Sequence, residues 1–333
     1  MKAFVINKYG KHEKLHLTDV AKPVVRENEV LVEIHAAGLN LLDSKIKDGE
    51  FKLFLPYKFP LVLGHDVAGV VVEVGSAVRK FKVGDEVYAR PADFRIGTFA
   101  EYIAIDEADA ALKPANLSMV EAASIPLVAL TVWQALVEKA QLKKGQKAFI
   151  QAGSGGVGTI AIQMAKHLGL DVATTTSSKN NDLVKSLGAD VVIDYQTVDF
   201  ENVLKDYDFV LNSQDNSTLK KSINILKAGG QAVSISGPPT ADFARQAGLP
   251  WFFKIILSLI SFGIRRKASK HGVHYSFLFM EASGSQLQQI TRLIESGVIK
   301  PVVDRVYPFE QTNQALQYVE SHHAKGKVVV KMK

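Results

Sequence analysis

The run Gly153-Ser154-Gly155-Gly156-Val157-Gly158 sets three glycines in the order GxGxxG. An apolar stretch at 147–151 precedes it and a helical pattern over 157–168 follows, so the motif falls on a strand–turn–helix unit. At such a turn the backbone N–H groups and the positive end of the helix dipole face a pyrophosphate, and the glycines let it approach the main chain. Alone the six residues carry little weight, because glycine-rich runs arise by chance; the strand before and the helix after make them a candidate phosphate cradle of Ser154, Gly155, Gly156, Val157 and Gly158.

The second strand of an NAD-binding unit usually ends in Asp or Glu, about twenty residues beyond the first glycine, to hold the ribose diol. Here that position reads Thr175-Thr176-Ser177-Ser178-Lys179. A carboxylate would repel a 2′-phosphate, whereas the hydroxyls of Ser177 and Ser178 and the ammonium of Lys179 can bind one, so the expected cofactor is NADP(H). Ordinary turn and surface roles are the competing reading for Lys179. Tyr195, just after the next strand, offers a phenol to the same group or else sits half-buried on the sheet.

Other chemistry is narrowed by what is absent. The chain has no cysteine, which excludes thiolate zinc sites, cysteine nucleophiles, iron–sulfur clusters and disulfides, and fits a reducing cytoplasm. His12 with His16, and His271 with His274, have suggestive spacing but no supporting carboxylates, and His322-His323 reads as an exposed helix end. No GxSxG elbow supports a hydrolase. No metal site is expected.

These residues need a scaffold, and 333 residues favour two domains. Short strands at 30–35, 67–74, 86–89 and 101–105, broken by Gly and Pro, predict an irregular β unit. From about 120 the pattern alternates: helix 121–138, strand 147–151, helix 157–168, strand 171–176, helix 181–187, strands 191–194 and 209–212, helix 217–226, strand 231–235. That alternation predicts an α/β, doubly wound parallel sheet. Helix 311–322 and strand 327–330 return to β character, so the expected domains are 1–120 completed by 302–333, and 121–301. Ser236-Gly237, at the carboxyl end of a sheet strand, lies where open α/β sheets collect ligands.

A formal charge of +6 comes from basic residues that read as spread along the chain, with Arg265-Arg266-Lys267 and Lys325-Gly326-Lys327 as solvated surface; no nucleic-acid partner is expected. Residues 249–264, LPWFFKIILSLISFGI, are interrupted by Lys254 and fall short of the roughly 18 to 20 apolar residues a membrane span needs. The leading expectation for them is a buried helix or a lid over an apolar pocket, ahead of a subunit contact or an interfacial membrane helix. The first eight residues show no secretory apolar run, and a cytoplasmic protein is expected.

Gly64-His65-Asp66-Val67-Ala68-Gly69, then Gly75 and Gly84-Asp85-Glu86-Val87, together with Gly155-Gly156-Val157-Gly158, Gln163 and Lys166, resemble the medium-chain dehydrogenase/reductase superfamily along the whole chain. The resemblance implies a mostly-β GroES-like catalytic domain completed by the C-terminus and a Rossmann domain. His65 stands in a zinc-ligand position, but one imidazole cannot hold a catalytic zinc, and it is read as a supporting histidine. Where zinc-dependent relatives place a Cys, Asn40-Leu41-Leu42-Asp43-Ser44-Lys45 is similar to the Asn-x-x-Asp-x-Lys segment of the zinc-independent quinone oxidoreductase and enone or alkenal reductase branch, with Leu41 where Pro is common.

That likeness implies NADPH-dependent reduction of an α,β-unsaturated carbonyl at its C=C bond, or of a quinone, in a homodimer. Such a reduction needs a donor for the growing enolate charge, which points to Asn40 and Lys45, the latter alternatively paired with Asp43. The likeness also implies nicotinamide-side roles for Thr131, for the backbone of Ser236 and Gly237, and for Phe277 and Phe279 as walls, though alternating aromatics also build cores. Tyr57, Tyr88 and solvent are the candidate proton sources. From another class, a cofactor-binding protein with nucleic-acid or membrane-surface contact is the alternative.

Overall fold

The computed structural model describes residues 1–333, and the chain divides into two compact units, Met1–Leu130 with Glu281–Lys333, and Thr131–Met280.

The first unit is built on an eleven-residue strand, Glu29–Leu39, most of which is buried. It is central in a seven-stranded sheet that runs Val303–Pro308, Lys327–Lys331, Glu29–Leu39, Asp66–Val74, Glu86–Ala89 and Ala110–Leu112, with Tyr102–Asp106 also pairing to Glu29–Leu39. Strand Lys327–Lys331 pairs antiparallel with the end of Glu29–Leu39, placing Val328 opposite Leu39. A small sheet orders His16–Asp19, Lys2–Ile6 and Leu61–Val62. Phe4, Ile6, Val32, Ile34, Leu63, Phe99 and Val330 are among the side chains that fill the core between these layers.

The second unit is a six-stranded parallel sheet in the order Val191–Asp194, Asp171–Thr176, Lys147–Ile150, Tyr207–Asn212, Leu226–Ser234, His274–Phe277. Its two central strands, Lys147–Ile150 and Tyr207–Asn212, are buried almost throughout, as coverage of both sheet faces demands. The order reverses between Lys147–Ile150 and Tyr207–Asn212, which makes the carboxyl end of Lys147–Ile150 the topological switch point. The glycine turn sits there.

Three expectations about organisation change. The helix expected over 121–138 is three pieces: Met119–Ala123, Pro126–Trp133 and a π-helical turn Gln134–Lys139. Ser118 and Glu121 form a capping box at the first, and Pro126 at the first position of the second cannot continue the preceding turn. The units divide at 130/131 and 280/281 rather than 120/121 and 301/302. Leu127 N–H donates to Asp66 Oδ1 at 2.7 Å, and Gly284 N–H to Ala108 O at 2.6 Å, so both bordering segments are tied to the first unit.

The third concerns residues 249–264. They form helices Trp251–Ile260 and Phe262–Lys270, but Trp251, Phe252, Ile255, Ile256, Leu259 and Ile260 are exposed, so the buried reading is wrong. A single seam, Leu257, Ser261, Ile264 and Ala268, meets the unit's core.

Candidate active site

In the second unit, helix Gly156–His167 starts inside the glycine turn, with Gly155 in extended conformation as its N-cap. The N–H groups of Gly156, Val157 and Gly158 form the first turn, which no carbonyl of the helix can reach, and so remain available to an anion. The turn needs its glycines. A Cβ on Gly158 would stand 2.3 Å from Ala152 O and 2.7 Å from Gly153 Cα, and one on Gly153 would stand 2.2 Å from Thr174 Oγ1. Gly158→Ala is therefore expected to cost about 1–3 kcal/mol and to weaken NADPH by at least about tenfold, because only backbone can move aside. Thermal unfolding with and without NADPH measures both, and an unchanged ligand-induced shift would contradict it.

Ser154 Oγ accepts from Thr176 Oγ1 at 3.0 Å and from Asn180 Nδ2 at 3.2 Å, which ties the turn to the end of the second strand. Asn180 Nδ2 also reaches Ser177 Oγ at 3.3 Å. The Tyr195 N–H donates to Thr176 O at 3.3 Å, so Tyr195 stands beside the Ser177–Lys179 turn with a largely exposed ring rather than a half-buried one. Ser178 and Lys179 are exposed, and Lys179 forms no ion pair. An acid also touches this turn: the Asp194 carboxylate takes the Ser178 and Gln196 N–H groups. Ser177 is buried, with its Oγ taken by Asn180, so the exposed hydroxyl here is that of Ser178. A cradle with first-turn donors, that hydroxyl and an unpaired ammonium fits a pyrophosphate and a 2′-phosphate.

Ser236 and Gly237 correct one expectation. Both N–H groups point to Ser234 Oγ, at 3.3 and 2.7 Å, so they do not face outward as carboxamide donors. A buried relay invisible in the sequence sets this: Ser234 donates to Asn212 Oδ1, Asn212 Nδ2 donates to Gln151 Oε1 at 2.7 Å, and Gln151 Nε2 donates to Ser222 Oγ at 2.6 Å. It locks the carboxyl ends of three adjacent strands. Phe277 and Phe279 both pack on Phe243, at 5.3 and 5.5 Å between ring centroids, which is an aromatic cluster within the unit. Thr131 is buried on helix Pro126–Trp133.

In the first unit, Asn40 ends the long strand and is the N-cap of helix Leu41–Asp48. Asp43, one turn in, takes the Asn40 N–H on Oδ2 at 2.7 Å and meets His65 Nδ1 with Oδ1 at 2.6 Å. A carboxylate only accepts, so His65 carries its proton on Nδ1. Its Nε2 is buried with no partner. Beside it, Lys327 Nζ donates to Asn40 Oδ1, to Leu39 O at 3.0 Å and to Asp66 Oδ2 at 2.9 Å. Asn40 Nδ2 donates to the same Asp66 oxygen at 2.9 Å. An ammonium cannot accept and a carboxylate cannot donate, so the Asn40 amide has one permitted orientation. One of its two N–H donors is thereby left without a partner.

Lys45 is not in this cluster. It pairs with Glu50 at 3.7 Å and not with Asp43, because residues two apart on a helix face different sides. Lys327, read from the sequence as solvated surface, is buried and supplies the cluster's only ammonium. The tyrosines are poor acids. Tyr57 donates to Asp93 O at 2.7 Å, Tyr88 donates to Leu287 O at 2.8 Å, and burial pushes both phenols well above their ordinary range.

Residues 26–115 match the family described as alcohol dehydrogenase GroES-like domain, and 187–330 match zinc-binding dehydrogenase. The mouse protein named NAD(P)H oxidoreductase RTN4IP1, mitochondrial, is 37% identical, over 99% of this chain and 89% of its own. The Arabidopsis thaliana protein named NADPH-dependent alkenal/one oxidoreductase, chloroplastic, is 36% identical over 99% and 79%. The quinone oxidoreductase from Coxiella burnetii superposes with a TM-score of 0.86 at 29% identity, covering 100% of this chain and 99% of that one.

The chain belongs to the medium-chain dehydrogenase/reductase superfamily. Within the superfamily it falls in the zinc-independent quinone and enone reductase branch. The residues do not fit the zinc of the second family's description. There is no cysteine, no group of three His, Asp or Glu side chains converges, and His65 is already engaged by Asp43. As a medium-chain dehydrogenase/reductase of this branch it is an NADPH-dependent oxidoreductase, and residues 175–179 themselves contain no Asp or Glu at the position that usually holds the NAD ribose.

Proposed function

We propose that the protein uses NADPH to reduce the C=C bond of an α,β-unsaturated carbonyl, with quinone reduction as the companion activity. The observation that carries this reading is the fixed Asn40 amide, a neutral donor whose orientation Lys327 and Asp66 dictate. NADPH, when bound, supplies the hydride. Hydride arriving at the β-carbon moves the π electrons toward oxygen, and the spare Asn40 N–H binds that growing enolate charge. Because the amide is held before substrate arrives, little reorganisation remains for the reaction step. Solvent then protonates the α-carbon, since neither Tyr57 nor Tyr88 has an uncommitted O–H. A quinone draws on the same donor, because hydride addition leaves charge on its oxygen too.

The test is NADPH oxidation against a short enone, a long-chain alkenal, a quinone and a saturated aldehyde, with products identified by mass. A saturated carbonyl product supports the reading; turnover of the saturated aldehyde alone would overturn it. Lys179→Ala is expected to weaken NADPH about tenfold while leaving NADH within about twofold, since only NADPH carries the 2′-phosphate. Equal losses in Kd for the two cofactors, read by fluorescence titration, would remove Lys179 from that role.

A homodimer is part of this proposal. It is supported by strand His274–Phe277, which pairs with Leu226–Ser234 on one side and ends the sheet on the other. A reducing cytoplasm is proposed as its setting, supported by a composition without cysteine.

A further inference from the structure

Helices Trp251–Ile260 and Phe262–Lys270 bury the seam Leu257, Ser261, Ile264 and Ala268, which recurs at helical spacing. What faces outward from the first helix is apolar: Trp251 is 72% exposed and Leu259 71%, with Phe252, Ile255, Ile256 and Ile260 beside them. A helix that merely covers a core shows the opposite pattern, polar side outward. An apolar patch of this kind marks a surface that another phase or molecule covers.

The charge carried by this stretch of chain is one-signed, although Glu201 faces Lys267 from a neighbouring element. Between Asp242 and Glu281 the chain contains no Asp or Glu, but it contains Arg245, Lys254, Arg265, Arg266, Lys267 and Lys270, which equals the formal surplus of +6 for the whole chain. The basic residues are therefore not evenly spread in their effect. Arg245 pairs with Asp242 at 3.1 Å, while Lys254, Arg265, Arg266 and Lys270 take part in no ion pair.

We propose that this helix pair docks on an anionic lipid surface. The apolar side chains enter the boundary between headgroups and acyl chains, and the unpaired basic groups lie at phosphate level. The occupant is chosen by charge and chemistry. A second copy facing the same patch across a two-fold axis would set two uncompensated basic clusters against each other. A nucleic acid would meet the charge but leave Ile255, Ile256 and Leu259 without a partner, since aliphatic side chains give bases no stacking surface. No helix is long and apolar enough to cross a membrane, so the contact is interfacial.

The test is flotation of the full-length protein with vesicles of phosphatidylcholine alone and of phosphatidylcholine with phosphatidylserine at about 7:3. Binding at least about tenfold stronger to the anionic vesicles is expected, weakening as salt is raised to about 0.5 M. The pair Ile255→Glu with Leu259→Glu, and separately Arg265→Glu with Arg266→Glu, should each abolish flotation while leaving NADPH turnover of a soluble enone unchanged, which shows the variants are folded. Absence of flotation by the parent protein would overturn the proposal. So would a parent dimer that Ile255→Glu dissociates, or retention on duplex DNA or RNA, if vesicles are not bound.

Discussion

Lys327→Met is expected to lower the melting temperature by roughly 10 °C and to cut turnover about tenfold. The ammonium is buried against Asp66 Oδ2, Asn40 Oδ1 and Leu39 O, and Asp66 is itself fully buried. Methionine fills a similar volume but strands the carboxylate, and a buried charge that loses its partner costs about 3–5 kcal/mol. For a unit of this size each kcal/mol moves the melting temperature by about 2–4 °C. The loss in turnover has a separate origin. Without the ammonium, Asn40 Oδ1 loses the donor that sets its orientation, and the amide no longer presents its spare N–H in one pose. Adding Asp66→Asn to Lys327→Met removes the stranded charge and should restore part of the melting temperature. Turnover should stay low in that double variant. If the double variant melts no higher than the single one, the uncompensated carboxylate is not the cause.

Asn40→Ala is expected to reduce kcat by about 10²–10³ while leaving NADPH affinity within about twofold, the range found when one preorganised oxyanion donor is removed. The two effects separate because Asn40 belongs to the first compact unit and the phosphate cradle to the second. Stability should fall far less than in Lys327→Met, because the Lys327–Asp66 pair survives. Single-turnover kinetics with preloaded NADPH read the reaction step directly. A kcat within about threefold of the parent protein would show that the enolate charge is met elsewhere.

The geometry of the candidate phosphate cradle is more legible in the sequence than that of the cluster around Asn40. Gly153 to Gly158, the strand before them and the helix after them all lie within one supersecondary unit, so local pattern contains the geometry. The Ser177–Lys179 turn follows from strand length alone. The resemblance points to Asn40 but not to what holds it, because Lys327 reaches it across 287 residues of sequence. A lysine between a glycine and a run of valines reads as solvated surface until pairing with Glu29–Leu39 buries it. The same limit hid the relay through Gln151, Asn212 and Ser234, whose members come from three strands. Residues 249–264 failed for another reason: apolar content reports what a segment avoids, not which neighbour covers it.

The return of the chain to its first unit has a consequence for how the protein is made. The Thr131–Met280 unit is continuous and leaves the ribosome before Lys327 does, while the first unit is divided between Met1–Leu130 and Glu281–Lys333. The cofactor-binding unit can therefore fold as soon as it emerges, whereas strand Glu29–Leu39 must wait for Lys327–Lys331 to cover its far end. The Lys327 contacts to Asp66 and Asn40 can form only once that strand has been made. The order of completion thus runs opposite to the order in which the two units begin, and the glycine turn can form before the Lys327–Asp66–Asn40 cluster does.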